Sequence, residues 1–330
     1  QRRFDDAEAS YRKALSLAPS WPGIRRNLGM LMLVLNRWKE GFELFEERLA
    51  FSDGLLAPKW RHLRWDGSPL KGRRVLLHAE NGLGDTIQYV RYVPNLIAAG
   101  GRVVMLSQPE LYRLLQRMPG IEELRVEGGP VPSFDVLCPV MSCPRAFGTR
   151  LETIPAAIPY LTPDPSLAEH WRQRLAPHRG RLTVGLVWSA SKTIKEGWSR
   201  SPPPGAFARL ATAANHGVRF VSLQKGPPAK DAPAGIDLLD WTEELHDMAD
   251  TAALAANLDL VIAVDTSVAH LAGAIGKACW VLLCEPADWK WMLDRTDSPW
   301  YPTMRLFRQP KPGDWQTPIE QVLDALLERT

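Results

Sequence analysis

Four short stretches of this chain combine glycines, hydroxyls and charges in spacings suited to handling an anion. The first is Glu80-Asn81-Gly82-Leu83-Gly84-Asp85. Glycines between a strand and a helix let backbone approach a ligand, and a helix N-terminus favours negative charge. Gly82 and Gly84 are therefore candidate binding positions. Asp85 falls where a carboxylate can either cap the helix or serve as a general base. The second stretch is Val264-Asp265-Thr266-Ser267-Val268-Ala269-His270. Thr266 or Ser267 can cap the helix that opens there, the free N–H groups suit a diphosphate, and His270 lies within reach of the same anion. Its rival reading is an ordinary N-cap with a helix-surface histidine. The third stretch runs from Trp188 through Lys192 and Lys195 to Arg200-Ser201, with three cations and several hydroxyls that suit either a phosphate or solvent. The fourth, Leu223-Gln224-Lys225-Gly226, offers one amide and one lysine.

Each stretch follows an apolar run that reads as a buried parallel strand: 74–78, 183–188, 219–223 and 258–264. Further strands are expected at 102–106, 134–137 and 279–283. Helices are expected at 86–99, 111–117, 167–175, 207–215, 251–256, 268–275 and 318–327. Strands alternating with helices in two series predict an α/β fold, a GT-B-like pair of Rossmann-like lobes whose strand-end loops carry the site. Ahead of them, Phe4, Ala7, Tyr11, Ala14 and Leu15 recur 34 positions later as Trp38, Gly41, Phe45, Arg48 and Leu49. That period, with small residues where helices cross, predicts a tetratricopeptide-repeat segment, and the start at Gln1 is read as a truncated array. An ordinary helical hairpin is the rival reading. The expected divisions are 1–59 for the repeats, 60–165 for the first lobe, 166–305 for the second and 306–330 for a tail helix packing back on them.

Composition narrows the function. With 40 basic and 37 acidic residues in 330, the net charge is +3, which leaves no field for a nucleic-acid partner. No apolar run approaches the ~20 residues of a membrane span. Cys138/Cys143 and Cys279/Cys284 are spaced more widely than zinc knuckles, so buried free thiols in a cytoplasmic protein are expected, with no metal. Five of the 13 tryptophans fall between 280 and 315, among them those of Asp288-Trp289-Lys290-Trp291. They suit either core packing or a sugar-binding face.

The pair Gly82-Leu83-Gly84-Asp85 and Asp265-Thr266-Ser267-Val268-Ala269-His270 resembles the signature of the heptosyltransferase group, glycosyltransferase family 9. The whole plan is similar to bacterial tetratricopeptide-repeat proteins that carry such a domain and, more distantly, to O-GlcNAc transferases. The resemblance implies a GT-B fold, with acceptor on the first lobe and nucleotide-sugar on the second. It implies an inverting glycosyltransferase acting on a protein or glycan hydroxyl, with the repeats recruiting the acceptor. Asp85 matches the family's proposed base, and Asp265, Thr266, Ser267 and His270 match its donor segment. Lys195 and Arg200 fall in its phosphate-neutralising region. Ser267 stands where the family often has glycine, which leaves the donor open. The chain lacks an Asp-x-Asp motif, so no metal cofactor is expected. Two rivals share this fold: an inactive scaffold working through its repeats, and a nucleotide-sugar epimerase or hydrolase.

Overall fold

The computed structural model describes residues 2–191 and 200–330. Among these, ten strands form two sheets in which every neighbouring pair is parallel. The first contains β1 (Arg74–His78), β2 (Arg102–Ser107), β3 (Ile121–Val126) and β4 (Val136–Pro139), in the order β3-β2-β1-β4. The second contains β5 (Leu182–Val187), β6 (Val218–Ser222), β7 (Leu238–Leu239), β8 (Leu260–Val264), β9 (Cys279–Leu283) and β10 (Met304–Arg308). Their order is β10-β9-β8-β5-β6-β7. In each sheet the winding reverses beside the first strand: β4 joins β1 opposite β2, and β8 joins β5 opposite β6. Doubly wound sheets hold ligands beyond the carboxyl ends of the strands at that reversal. The loops after β1, β5 and β8 emerge there.

The apolar runs became the central strands because both faces of each are covered. The differences lie at the edges. Ile121–Val126 mixes Glu122, Glu123 and Arg125 with three apolar residues, as an edge strand with a wet side can, and does not read as a strand from sequence. Met304–Arg308 carries two arginines yet pairs along β9, while Arg305 lies over the rings of Trp280 and Phe307 at the sheet's edge. The division drawn at residue 305 therefore falls inside a strand. The helix Gln316–Leu327 shares a core with Trp280, Phe207 and Leu210 of the second lobe. The helix expected over 86–99 is broken into α4 (Leu83–Tyr89), a 3-10 turn at Val90–Tyr92 and a last piece, Val93–Ala98. Pro94, which has no N–H to give, sits in the first turn of that piece.

Three helices precede the lobes: α1 (Phe4–Leu17), α2 (Pro22–Val34) and α3 (Trp38–Phe45). They cross at glycines. A Cβ on Gly29 would lie 2.7 Å from the Phe45 nitrogen, and one on Gly41 would lie 2.8 Å from the Leu33 side chain. Behind α3, Arg48 donates to both carboxylate oxygens of Glu80 at 3.0 and 2.8 Å and to Ser142 Oγ at 2.9 Å. Burial works against the Arg48 charge, but Glu80 and Glu46 outweigh it and raise its pKa. Trp38 stacks on Trp300 and meets Trp289 edge to face. One apolar cluster runs without a break from Leu33, Trp38 and Phe42 through the first sheet to Val261 and Ala263 of the second and to Trp289 on the turn after β9.

Candidate active site

A cleft of about 1800 Å³ lies between the carboxyl edges of the two sheets, and α2 closes one side of it. Its floor is the loop from β1 into α4. Asn81 turns the chain there with φ of +58°, a left-handed value that asparagine tolerates. Gly82 is the N-cap of α4 in extended backbone. A Cβ on Gly82 would meet nothing nearer than Asp85 Oδ2 at 3.8 Å, so this glycine borders open space. Gly84 does not. A Cβ there would lie 2.9 Å from Cδ2 of His270 and 3.4 Å from Cα of Ser267. The second glycine of the motif thus admits the opposite lobe.

Asp85 has both sequence-level roles open to it. Oδ2 accepts from the Gly82 N–H at 3.4 Å, which is helix capping. Oδ1 faces the cleft and accepts from Lys290 Nζ at 3.2 Å. Opposite it, the helix Ser267–Ala274 begins with Thr266 as N-cap. Among the described residues, Thr266 Oγ1 is buried with no partner, as is Nε of Arg200. Arg200 Nη1 lies 3.7 Å from Asp265 Oδ2, and Asp265 Oδ1 lies 3.9 Å from His270 Nε2. Burial raises the Asp265 pKa. Burial also lowers that of His270 to well below the usual value, helped by Lys290, Arg91 and Arg200, so the ring is neutral. His270 Nδ1 pairs with the Tyr301 hydroxyl at 2.9 Å.

These positions bring Gly82, Gly84, Asp85, Arg200, Asp265, Thr266, Ser267 and His270 around one space. Gln224 and Lys225 border it with their polar atoms engaged. Gln224 Oε1 accepts from the N–H groups of Trp188 at 3.0 Å and Ser189 at 2.8 Å, ordering the end of β5. Lys225 Nζ donates to the Thr242 carbonyl. Lys195 lies outside the described residues. Among the described residues no three His, Cys, Asp or Glu gather as metal ligands, and the four cysteines are free and buried. No helix among them is long and apolar enough to cross a membrane.

The tryptophans between 280 and 315 are packing residues. Trp280, Trp289, Trp291, Trp300 and Trp315 are all buried. Two important residues had no signature in the sequence. Lys290 looked like part of an aromatic tail. Arg91, 2% exposed, donates to the carbonyls of Gln88 and Trp300 and to the Tyr160 hydroxyl, tying α4 to the interlobe connection and the second lobe.

Two parallel, doubly wound sheets facing across such a cleft make the GT-B-like fold of the family 9 glycosyltransferases. The structure is similar to a family 9 glycosyltransferase from Veillonella parvula, with a TM-score of 0.56 at 12% identity over 79% of this chain and 99% of that one. It is equally similar to the Escherichia coli ADP-heptose lipopolysaccharide heptosyltransferase II, with a TM-score of 0.56 at 14% identity over 78% and 99%. In sequence, the chain is 28% identical over 347 aligned positions to protein FlbA of Caulobacter vibrioides. That match takes in 92% of this chain and 56% of FlbA, so the chain spans about half the length of this curated relative. No protein-family model matches it.

Proposed function

We propose that the chain is an inverting, metal-independent glycosyltransferase that moves a sugar from a nucleotide-diphosphate donor to a hydroxyl of a protein or glycan. The observation that carries this reading is the close approach of Gly84, the neighbour of Asp85, to Ser267 and His270 at the opposite helix start, which sets Asp85 and Thr266 on one cleft. Asp85 takes the proton of the acceptor hydroxyl. The acceptor oxygen bonds to the anomeric carbon on the face opposite the diphosphate, the anomeric carbon–oxygen bond to phosphate breaks, and the configuration inverts. The leaving diphosphate gains charge as that bond breaks. Helix N–H groups, Thr266 Oγ1 and Arg200 meet that charge, and fixed donors in a sheltered cleft are effective there. Lys195 is assigned to the same task by its resemblance to the family's phosphate-neutralising region. The fold likeness to an ADP-heptose enzyme supports a nucleotide-sugar donor of this kind.

The three N-terminal helices are read as one and a half tetratricopeptide units that bring the acceptor to the cleft. Arg26, Asn27 and Met30 of α2 line its wall, which supports this reading. A thermal-shift screen with UDP, GDP, ADP and CMP donors tests it: stabilisation by one nucleotide class is expected. No stabilisation by any of them points to the inactive scaffold. Donor consumption without acceptor points to a hydrolase or epimerase. Full turnover in EDTA is the expected outcome, and strict Mn²⁺ dependence counts against the metal-free mechanism.

A further inference from the structure

Lys290 is the least expected charge in the cleft. It sits on the turn Trp289–Trp291 after β9 and is 9% exposed. Both neighbours are anchored. Trp289 packs edge to face on Trp38, Phe42 and Trp300. Trp291 stacks on His270 with centroids 5.2 Å apart. Asp288 caps the turn by accepting from the Lys290 N–H at 3.2 Å. The lysine's backbone is thereby held where the helices and both lobes meet. Its ammonium reaches across to Asp85 Oδ1 at 3.2 Å, with Asp288 Oδ2 at 3.7 Å. Burial opposes this charge, but Asp288, Asp85 and Asp265 outweigh it and hold the pKa well above the lysine range.

This arrangement conflicts with the work assigned to Asp85. The oxygen that must take the acceptor's proton already accepts from an ammonium. The conflict vanishes once the donor is bound, because a diphosphate offers the same cation more negative charge. A lysine's point charge on a four-carbon stem can change partner without any backbone movement. We propose that Lys290 is an exchangeable counter-ion, paired with Asp85 until a donor arrives and then drawn onto the diphosphate of the nucleotide-sugar, so that Asp85 is bared only when a donor is in place. This rests on the transferase reading given above. Lys290 keeps its proton throughout. The proton that moves is the acceptor's, and it goes to Asp85, while Lys290 meets the charge appearing on the leaving diphosphate. Donor then binds before acceptor.

The competing role is a plain latch between the lobes. A latch is weakened equally from either end, whereas a phosphate ligand is lost only from the lysine end. Calorimetry with ADP, UDP, GDP and CDP on the wild type, Lys290→Met, Lys290→Arg and Asp85→Asn separates the two. Lys290→Met is expected to weaken the tightest of the four by about ten- to hundred-fold, the loss of one charge-assisted hydrogen bond. Lys290→Arg should restore most of that. Asp85→Asn should bind at least as tightly as the wild type. Unchanged binding by Lys290→Met, or an equal loss in Asp85→Asn, overturns the proposal. Binding of none of the four by the wild type overturns the transferase reading itself. A crystal structure with the bound nucleotide needs no variant to fold: Nζ is expected on a phosphate oxygen, and Nζ still on Asp85 overturns the exchange.

Discussion

Gly84 of the first lobe and His270 of the second touch so closely that a methyl group on Gly84 would lie 2.9 Å from the imidazole Cδ2. Real Cβ atoms do not sit that close to a ring held by Tyr301 and Trp291. Gly84→Ala should therefore push the two motif loops apart, at a cost of about 1–3 kcal/mol, typical of overpacking. Gly82→Ala is the control, since a methyl there meets only Asp85 Oδ2 at 3.8 Å. Thermal denaturation of the two variants should give a clear drop for the first and a small one for the second. Equal drops would show that the contact is not what demands a glycine.

Asp85→Asn keeps the shape of the side chain and removes its ability to accept a proton. Turnover with a nucleotide-sugar donor should fall by about 10²–10⁴-fold, the usual worth of general-base help. Wild-type turnover in the variant would remove Asp85 from the chemistry and leave it a capping residue.

Arg48 and Glu80 form a two-pronged pair with both side chains almost wholly buried. Removing one partner strands the other charge without water. Arg48→Met should cost about 3–5 kcal/mol, and replacing both residues together should cost less. Urea unfolding of the single and double variants reads this directly. A double variant less stable than the sum of the singles would contradict the pairing.

Acid should loosen the fold through His270. Burial, with Lys290, Arg91 and Arg200, keeps the folded ring neutral, while an unfolded histidine takes a proton below about pH 6.5. The unfolded state then binds more protons than the folded one. The stability tied to His270 is complete above that pH and is lost as the pH falls below it. Between about pH 7.5 and about pH 5, the urea midpoint of the wild type should fall more steeply than that of His270→Gln. Parallel slopes would assign the acid sensitivity to other groups.

The legible parts of this molecule are those where chemistry and local pattern coincide. Arg74–His78 and Cys279–Leu283 were readable to the residue because strands covered on both faces are unbroken apolar runs. The placement of Asp85 and of the stretch from Asp265 to His270 at one cleft was legible because each lies in the loop or helix start that follows such a run. Ile121–Val126 was not, since an edge strand with Glu122, Glu123 and Arg125 looks like a solvated loop. Lys290 could not be recognised from its neighbours. A lysine between two tryptophans acquires a meaning only when one indole packs on Trp38, about 250 residues earlier, and the other on His270. From sequence Gly84 reads as a place where backbone approaches a ligand; in the structure the start of the helix Ser267–Ala274 lies against it.

Trp300 touches a ring from each part of the molecule: Trp38 from the N-terminal helices, Tyr89 from the first lobe and Trp289 from its own. It is placed like the keystone of an arch, with Arg91 set against its face as a wedge. An arch does not open by swinging one leg. Trimming away the helices to leave a tidy two-lobed enzyme would take out one of its three supports, and with it the span that Lys290 crosses.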